Sequence, residues 1–149
     1  MQMRGFTFGV ALLLSITACQ AQSRKSPHCL SYEPAVVSVS GTLVRATFPG
    51  PPNYEDIDSG DMPETPWLVK LSREVCVNED KANPDLNPRQ QSILLVQLVI
   101  APKDFEGYRT LIGKRVVAKG TLFGAHTGHH HTPVLLRVSD LARAGGGKS

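Results

Sequence analysis

The chain has 149 residues, of which 41% are hydrophobic, and a formal net charge of +3. A chain of this length suits one domain with one core, and leaves little room for a second. Its lysines and arginines are scattered along the sequence, so the clustered positive charge of a nucleic-acid-binding protein is missing.

Residues 1–18 have the features of an export signal. One charged residue, Arg4, precedes an apolar run from Phe6 to Ile16. This run is shorter than the roughly 20 residues that a membrane-spanning helix needs. A charged start followed by a short apolar stretch therefore predicts a secretory signal peptide rather than a membrane anchor.

The end of this run, ITAC at residues 16–19, resembles the lipobox of bacterial lipoproteins. The resemblance implies that Cys19 is acylated and becomes the new N-terminus, which anchors the protein by lipid in the periplasm. Gln20, in place of an aspartate, implies the outer membrane. Residues 19–28 would then be a polar tether. Ordinary cleavage slightly downstream, after Ala21, is the alternative and would discard Cys19.

The cysteine count agrees with an exported protein. Cys29 and Cys76 remain under either cleavage model, and two thiols in an oxidising compartment predict a disulfide. Such a bond would stabilise the fold by about 4 kcal/mol in a chain-entropy estimate. Two buried free thiols are the alternative. The sequence has no CxxC motif, so neither a redox site nor a cysteine metal site is indicated.

The rest of the sequence predicts five strands, with one short helix between the third and the fourth. The first strand alternates with period two, and the third is almost continuously apolar, as a central buried strand is. The predicted strands are Val37–Val44, a second that begins with Trp67–Leu71 and ends near Cys76, Ile93–Ile100, Val116–Phe123 and Thr132–Leu141, and the predicted helix is Lys103–Leu111.

This order is the signature of an OB-like fold, a five-stranded, partly open Greek-key barrel. Gly41 and Gly120 lie in similar segments of the first and fourth strands, where a glycine permits the bend that their pairing needs. We therefore predict an all-β domain with one short helix over residues 29–141, followed by a flexible tail at 142–149. An SH3-like barrel or a β-sandwich is the alternative.

Four of the five histidines of the chain lie between the fourth and fifth predicted strands. Neutral imidazole is a common transition-metal ligand, so His126, His129 and His131 are candidate ligands for zinc or copper. His130 should point to the opposite face from its neighbours. The alternatives are a polar loop whose histidines hydrogen-bond to backbone and carboxylates or contact a partner, and a pH-sensing role.

The segment Ala46–Pro66 is a long loop with five prolines, five acidic residues and no lysine or arginine. Asp56 and Asp58 suggest a calcium loop, but the glycine at position 60 comes one place earlier than in an EF-hand. The simpler interpretation is a proline-stiffened loop with solvated carboxylates. A sharper hypothesis pairs this loop with the histidine loop, so that a carboxylate orients an imidazole.

No sequence motif points to catalysis. The chain has no GxSxG, HExxH, P-loop or dinucleotide fingerprint. We therefore predict that the protein is not an enzyme. A metal hydrolase built on the histidine loop is the one enzyme class that the residues leave open.

Two motifs, FPGPPNY at residues 48–54 and TGHHHTPVLL at residues 127–136, resemble a family of uncharacterised bacterial envelope proteins. That family is catalogued as a domain of unknown function, and the likeness extends from about Cys29 to Leu141. The resemblance carries no assigned catalytic residue. Some relatives accompany segments like lysozyme inhibitors, which implies binding to a peptidoglycan hydrolase.

The leading functional prediction is a non-enzymatic binding module that inhibits, or gives immunity against, a peptidoglycan hydrolase. An acidic loop suits the basic cleft of a lysozyme-like enzyme. The predicted partner contacts are Tyr54, Asp56, Asp58, His129 and His131. One alternative is a periplasmic transition-metal-binding protein that uses the loop 126–131. The other is a structural envelope protein with no discrete ligand.

Overall fold

The computed structural model describes residues 29–145. The predicted signal peptide, the lipidation site Cys19 and the tether up to residue 28 lie outside the described residues, as does the end of the predicted tail at 146–149. None of the helices in the described part of the chain has the length and hydropathy of a membrane span.

The fold is mostly β, with five long strands, two short strands and one short helix. The strands are β1 Val36–Arg45, β2 Phe48–Pro49, β3 Pro63–Glu64, β4 Trp67–Val77, β5 Gln90–Val99, β6 Arg115–Gly124 and β7 Val134–Arg143. Helix α1 spans Phe105–Tyr108 and is flanked by 3₁₀ turns at Pro102–Asp104 and Arg109–Leu111.

The five long strands form one sheet in the order β1-β4-β5-β7-β6, and β6 pairs back to β1, so the sheet is closed. Strands β5 and β7 run parallel, while the other neighbours run antiparallel. β1 contacts β4 and β6 at Gly41, where an added Cβ would collide with the carbonyl group of Lys70. The glycine expected at this bend therefore has a steric reason.

The boundaries of the long strands differ slightly from the predicted ones, and the largest shift is at the start of β5, which begins at Gln90 and not at Ile93. β4 ends at Val77, next to the predicted end near Cys76, and its pairing with β5 is irregular, with a register shift before Val75. β7 begins at Val134, two residues later than predicted, because Pro133 has no backbone N–H to donate to a strand partner. Strands β2 and β3 were not predicted and form a small hairpin inside the proline-rich loop.

The main core lies inside the closed sheet. Its fully buried members alternate along the strands, as period-two patterning requires. They include Leu43, Val69, Val96, Leu122 and Leu136. The helix closes one end of this core, with the ring of Phe105 packed edge-on against Trp67 at 5.2 Å between centroids.

A second buried row lies on the opposite, outer face of the sheet. The register places Leu68, Gln97, Leu135 and Phe123 side by side on four adjacent strands. All four are buried, although none of them belongs to the main core. Outer-face residues of a closed sheet normally meet solvent, so this row marks where the loops fold over the strands.

The predicted disulfide joins Cys29 and Cys76. Beside it, Leu30 forms a parallel bridge to Val77, with its N–H donating to the Cys76 carbonyl at 2.7 Å. The bond therefore fastens the first described residues to the end of β4. Closing a loop of this length restricts the unfolded chain and stabilises the fold by about 4 kcal/mol.

Candidate functional site

Two loops meet over the outer row, and we call them the proline loop, residues 46–66, and the histidine loop, residues 125–133. The histidine loop is held from below by Gln97, whose side chain is buried in β5. Its Oε1 accepts the N–H of His131 at 2.8 Å, and its Nε2 donates to the carbonyl of His129 at 2.9 Å. Both polar ends of one amide thus fix the backbone of the loop.

A threonine completes this attachment. The backbone N–H of Gln97 donates to Oγ1 of Thr132 at 3.0 Å, and that hydroxyl donates to the carbonyl of Val134 at 2.8 Å. Thr132 is buried as well, so these bonds are shielded from water. The backbone from His129 to Val134 is therefore pinned to the sheet at several successive groups.

Asp61 organises the tip of the proline loop. Its carboxylate is 4% exposed and accepts the N–H groups of Glu55 at 2.7 Å, Asn53 at 2.8 Å and Asp56 at 3.0 Å. The hydrogen bonds from Glu55 and Asn53 lower the pKa of Asp61 despite the opposing effect of burial. This turn holds Tyr54 in the left-handed region, at φ 62°.

Glu64, at the end of β3, joins the two loops. Its Oε1 lies 2.6 Å from Nδ1 of His129, and its Oε2 lies 2.9 Å from Nε2 of His131. Burial raises the pKa of Glu64, but the hydrogen bonds and charges of His131 and His129 outweigh it and hold the pKa below its usual value. One carboxylate therefore orients two imidazoles.

Aromatic rings complete the arrangement. The Tyr54 hydroxyl lies 3.2 Å from Nε2 of His129, and the two rings meet edge to face. The ring of Phe48 stacks on His131 at 4.6 Å between centroids and 7° between planes. Gly128 permits this approach, because an added Cβ would lie 2.7 Å from the Tyr54 ring. We call Tyr54, Glu64, His129 and His131 the Glu64 cluster.

The hydrogen-bond pattern sets where the imidazole protons lie. A carboxylate only accepts, so His129 carries a proton on Nδ1 and His131 carries one on Nε2. In a neutral His129 the Nε2 atom is then an acceptor, and the Tyr54 hydroxyl donates to it. The cluster is thus a chain of hydroxyl, imidazole and carboxylate.

The other two histidines of the loop pack around Phe123. The N–H of His126 donates to Nδ1 of His130 at 3.0 Å, while Nδ1 of His126 donates to the Gly124 carbonyl at 3.0 Å. Arg137 lies over the Phe123 ring at 5.1 Å. Burial lowers the pKa of His130, and the charges of the neighbouring histidines lower it further. The surroundings of His130 therefore favour its neutral form.

The structure brings two of the three predicted metal ligands together. His129 and His131 share Glu64, whereas His126 lies against His130 and Phe123. Within residues 29–145, no group of three or more His, Cys, Asp or Glu side chains is arranged to hold a metal ion. Both ring nitrogens of His129, and one each of His126 and His131, take part in hydrogen bonds.

Three of the five predicted partner contacts, Tyr54, His129 and His131, lie in the Glu64 cluster. Asp56 and Asp58 lie on the neighbouring exposed turn, where Asp56 accepts the N–H of Asp58 at 3.1 Å. The predicted pairing of an acidic loop with the histidine loop is present, and the carboxylate that makes it is Glu64.

Sequence reasoning did not single out Gln97 or Glu64. Gln97 had a usable signal, because it is the only polar residue in the apolar run from Ile93 to Ile100. A buried polar side chain in such a strand needs a partner, and here the partner is the histidine loop. Glu64 had no such signal, since the loop offers five acidic residues of similar appearance.

A family model described as a domain of unknown function, DUF4431, matches residues 95–142. The match covers less than half of the chain and includes Gln97, the histidine loop and the strands on either side of that loop. It stops short of the proline loop and of Glu64. No curated protein matches the chain significantly. Over residues 95–142, the chain is thus similar to a domain whose function is unknown.

Proposed function

We propose that this protein is a non-enzymatic binding module of the bacterial envelope that inhibits, or gives immunity against, a peptidoglycan-degrading enzyme. In this proposal Cys19 carries the lipid anchor in the outer membrane, and the domain is an OB-like Greek-key barrel. The observation that carries it is that two loops are fixed against each other on one face of the sheet by Glu64.

The strand arrangement supports the OB-like assignment. The sheet is closed, the third and fifth long strands run parallel, and the helix lies between the third and fourth. In OB-folds, ligands bind at the loop between the first two strands and at the loop between the last two. Here those are the proline loop and the histidine loop.

The fixed loops favour binding because they have little conformational entropy left to lose when a partner binds. Gln97 holds one loop, Asp61 holds the tip of the other, and Glu64 joins them. A surface that is already ordered avoids the cost of ordering loops when a partner arrives. These contacts explain why polar loops of this length can present a defined surface.

The chemistry of the surface favours a basic partner. The proline loop exposes Glu55, Asp56 and Asp58 and contains no lysine or arginine. Next to them, Tyr54 is half-buried and the side chain of His129 is 61% exposed. Tyrosine is enriched among the residues that contribute most of the binding energy in protein interfaces. Acidic groups around it would attract the basic cleft of a partner.

The test is binding of the purified full chain to a basic c-type lysozyme and to envelope peptidoglycan hydrolases, together with an assay of wall lysis. The variant combines Tyr54→Ala, Asp56→Asn and Asp58→Asn. We expect binding to weaken at least tenfold, since loss of a central tyrosine alone costs about 2 kcal/mol. Binding should also weaken as salt is raised.

The matched control removes two exposed charges from another loop, by Glu79→Gln with Asp85→Asn. It should bind as the natural protein does. If the loop variant binds as tightly as the control, the contact surface lies elsewhere. If no hydrolase is bound or inhibited, the proposed partner is wrong.

Transition-metal binding is the second candidate function, favoured by the approach of His129 and His131 to one carboxylate. A zinc or copper ion would have to replace the two hydrogen-bonded protons. Calorimetry on the untagged full chain tests it. Micromolar binding should disappear in His129→Ala with His131→Ala but persist in His126→Ala. The absence of binding to the natural protein removes this candidate.

A further inference from the structure

We propose that Tyr54 is a reactive phenol that takes up an acyl group from an activated ester, with His129 as its base and Glu64 as the residue that positions His129. The reaction is one acylation per molecule and requires no turnover. It rests on the geometry of the Glu64 cluster and does not depend on the partner proposed above.

The three groups stand in the order of a nucleophile, a base and an orienting acid. The Tyr54 hydroxyl lies 3.2 Å from Nε2 of His129, and Nδ1 of the same ring lies 2.6 Å from Glu64. A hydroxyl group in contact with a base, which is itself oriented by a third group, is the general arrangement of an activated nucleophile. Here the hydroxyl group is a phenol.

Glu64 is held so that it keeps this orientation. Its second oxygen accepts from Nε2 of His131, whose side chain is only 8% exposed and is stacked on Phe48. The carboxylate therefore cannot turn away from His129 without breaking a second, part-buried hydrogen bond. The proton of a neutral His129 is thereby kept on Nδ1, which leaves Nε2 facing the phenol.

Tyr54 is held in the same way. The three N–H groups that Asp61 accepts belong to residues directly around Tyr54, and they stabilise its left-handed backbone. Such a conformation in a bulky residue costs energy and persists only where its surroundings impose it. Gly128 then leaves space for the ring beside His129. Both loops are shaped around this contact.

The other two tyrosines of the chain provide internal references. The Tyr32 hydroxyl donates to the Pro88 carbonyl at 2.8 Å, and burial raises the pKa of Tyr32. Tyr108 packs its ring against the core from the helix and is partly exposed. The Tyr54 hydroxyl differs from both in having an imidazole partner at a surface where a reagent can reach it.

The step is acyl transfer to the phenol oxygen. Oη of Tyr54 attacks the carbonyl carbon of the ester, the new C–O bond forms, and the bond to the leaving group breaks. The phenol proton passes to Nε2 of His129 and from there to solvent, while the leaving group departs with the electron pair. No oxidant, metal or further reactant is needed.

The probe is p-nitrophenyl acetate with the full chain. We expect a burst of one p-nitrophenolate per protein, and peptide mapping by mass spectrometry should place the acetyl group on Tyr54. Tyr54 should be acetylated at least tenfold faster than Tyr108. His129→Gln should slow the acetylation of Tyr54 at least tenfold, since a positioned base accelerates such a reaction roughly a hundredfold or more. Added imidazole should partly restore the rate in His129→Ala.

The matched control is His126→Gln, which removes a histidine from the same loop but outside the chain of groups. It should react as the natural protein does. For Glu64→Gln, ¹⁵N NMR of the His129 ring should show the proton no longer confined to Nδ1, which a purely structural role would not produce. Equal acetylation of Tyr54 and Tyr108, an unchanged rate in His129→Gln, or a burst that survives in Tyr54→Phe would each overturn the proposal.

Discussion

The histidine loop carries two pairs of histidines in opposite environments. His129 and His131 each hydrogen-bond to one oxygen of the Glu64 carboxylate. His126 and His130 lie against Phe123 beside a guanidinium group, and the pKa of His130 falls. The same residue type therefore has two different roles within six consecutive positions.

The difference arises from what lies beneath each pair. His129 and His131 are fixed by Gln97 and face the proline loop, which brings the acid. His126 and His130 lie over the outer end of β6, where the sheet offers an aromatic ring. The four histidines of the loop therefore do not form one site, because residues from different parts of the chain contact the two pairs.

Among changes that would disturb the two histidine pairs, Gln97→Leu is expected to have the largest effect. The change leaves the part-buried N–H of His131 and the carbonyl of His129 without their partner, which should reduce the free energy of unfolding by about 2 kcal/mol. Urea denaturation gives this value. NMR should show larger changes at His129 and His131 than at His126. The control Gln91→Leu lies exposed on the same strand and should cost less than about 1 kcal/mol.

A smaller effect is expected from Glu64→Gln. Because folding lowers the pKa of Glu64 from 4.5, its contribution to stability is present above about pH 4.5 and is lost as the pH falls through the folded-state value. The variant should therefore be less stable than the natural protein at pH 7, by about 1 kcal/mol for a partly exposed group, and equally stable in strong acid. If the difference in stability between the two proteins is the same at low pH as at pH 7, the Glu64 carboxylate is not its cause.

The smallest effect concerns His130→Gln. Folding lowers the pKa of His130 from 6.5, so its contribution is present above about pH 6.5 and is lost as the pH falls through the folded-state value. Thermal unfolding between pH 7 and pH 5 should therefore show a smaller loss of stability in this variant than in the natural protein. An equal loss would mean that the surroundings of His130 do not favour its neutral form.

The sequence predicted the parts of the fold that depend on local patterns. Apolar alternation located the long strands, and two remaining cysteines predicted their own bond. The contacts of the site join residues that no local pattern connects, because His129 and Glu64 are 65 positions apart and His131 and Gln97 are 34 apart. Periodicity has no information about such pairs, so the choice of Glu64 over Asp56 or Asp58 required the folded chain.

If Cys19 carries the lipid, the disulfide limits how far the domain can lie from the membrane. The bond between Cys29 and Cys76 holds the first described residue to the end of β4. The tether to the membrane can then include only the residues before Cys29, whose fully extended length is roughly 35 Å. The near end of the domain can then lie at most that distance from the bilayer, and the size of the domain adds to the reach of its loops.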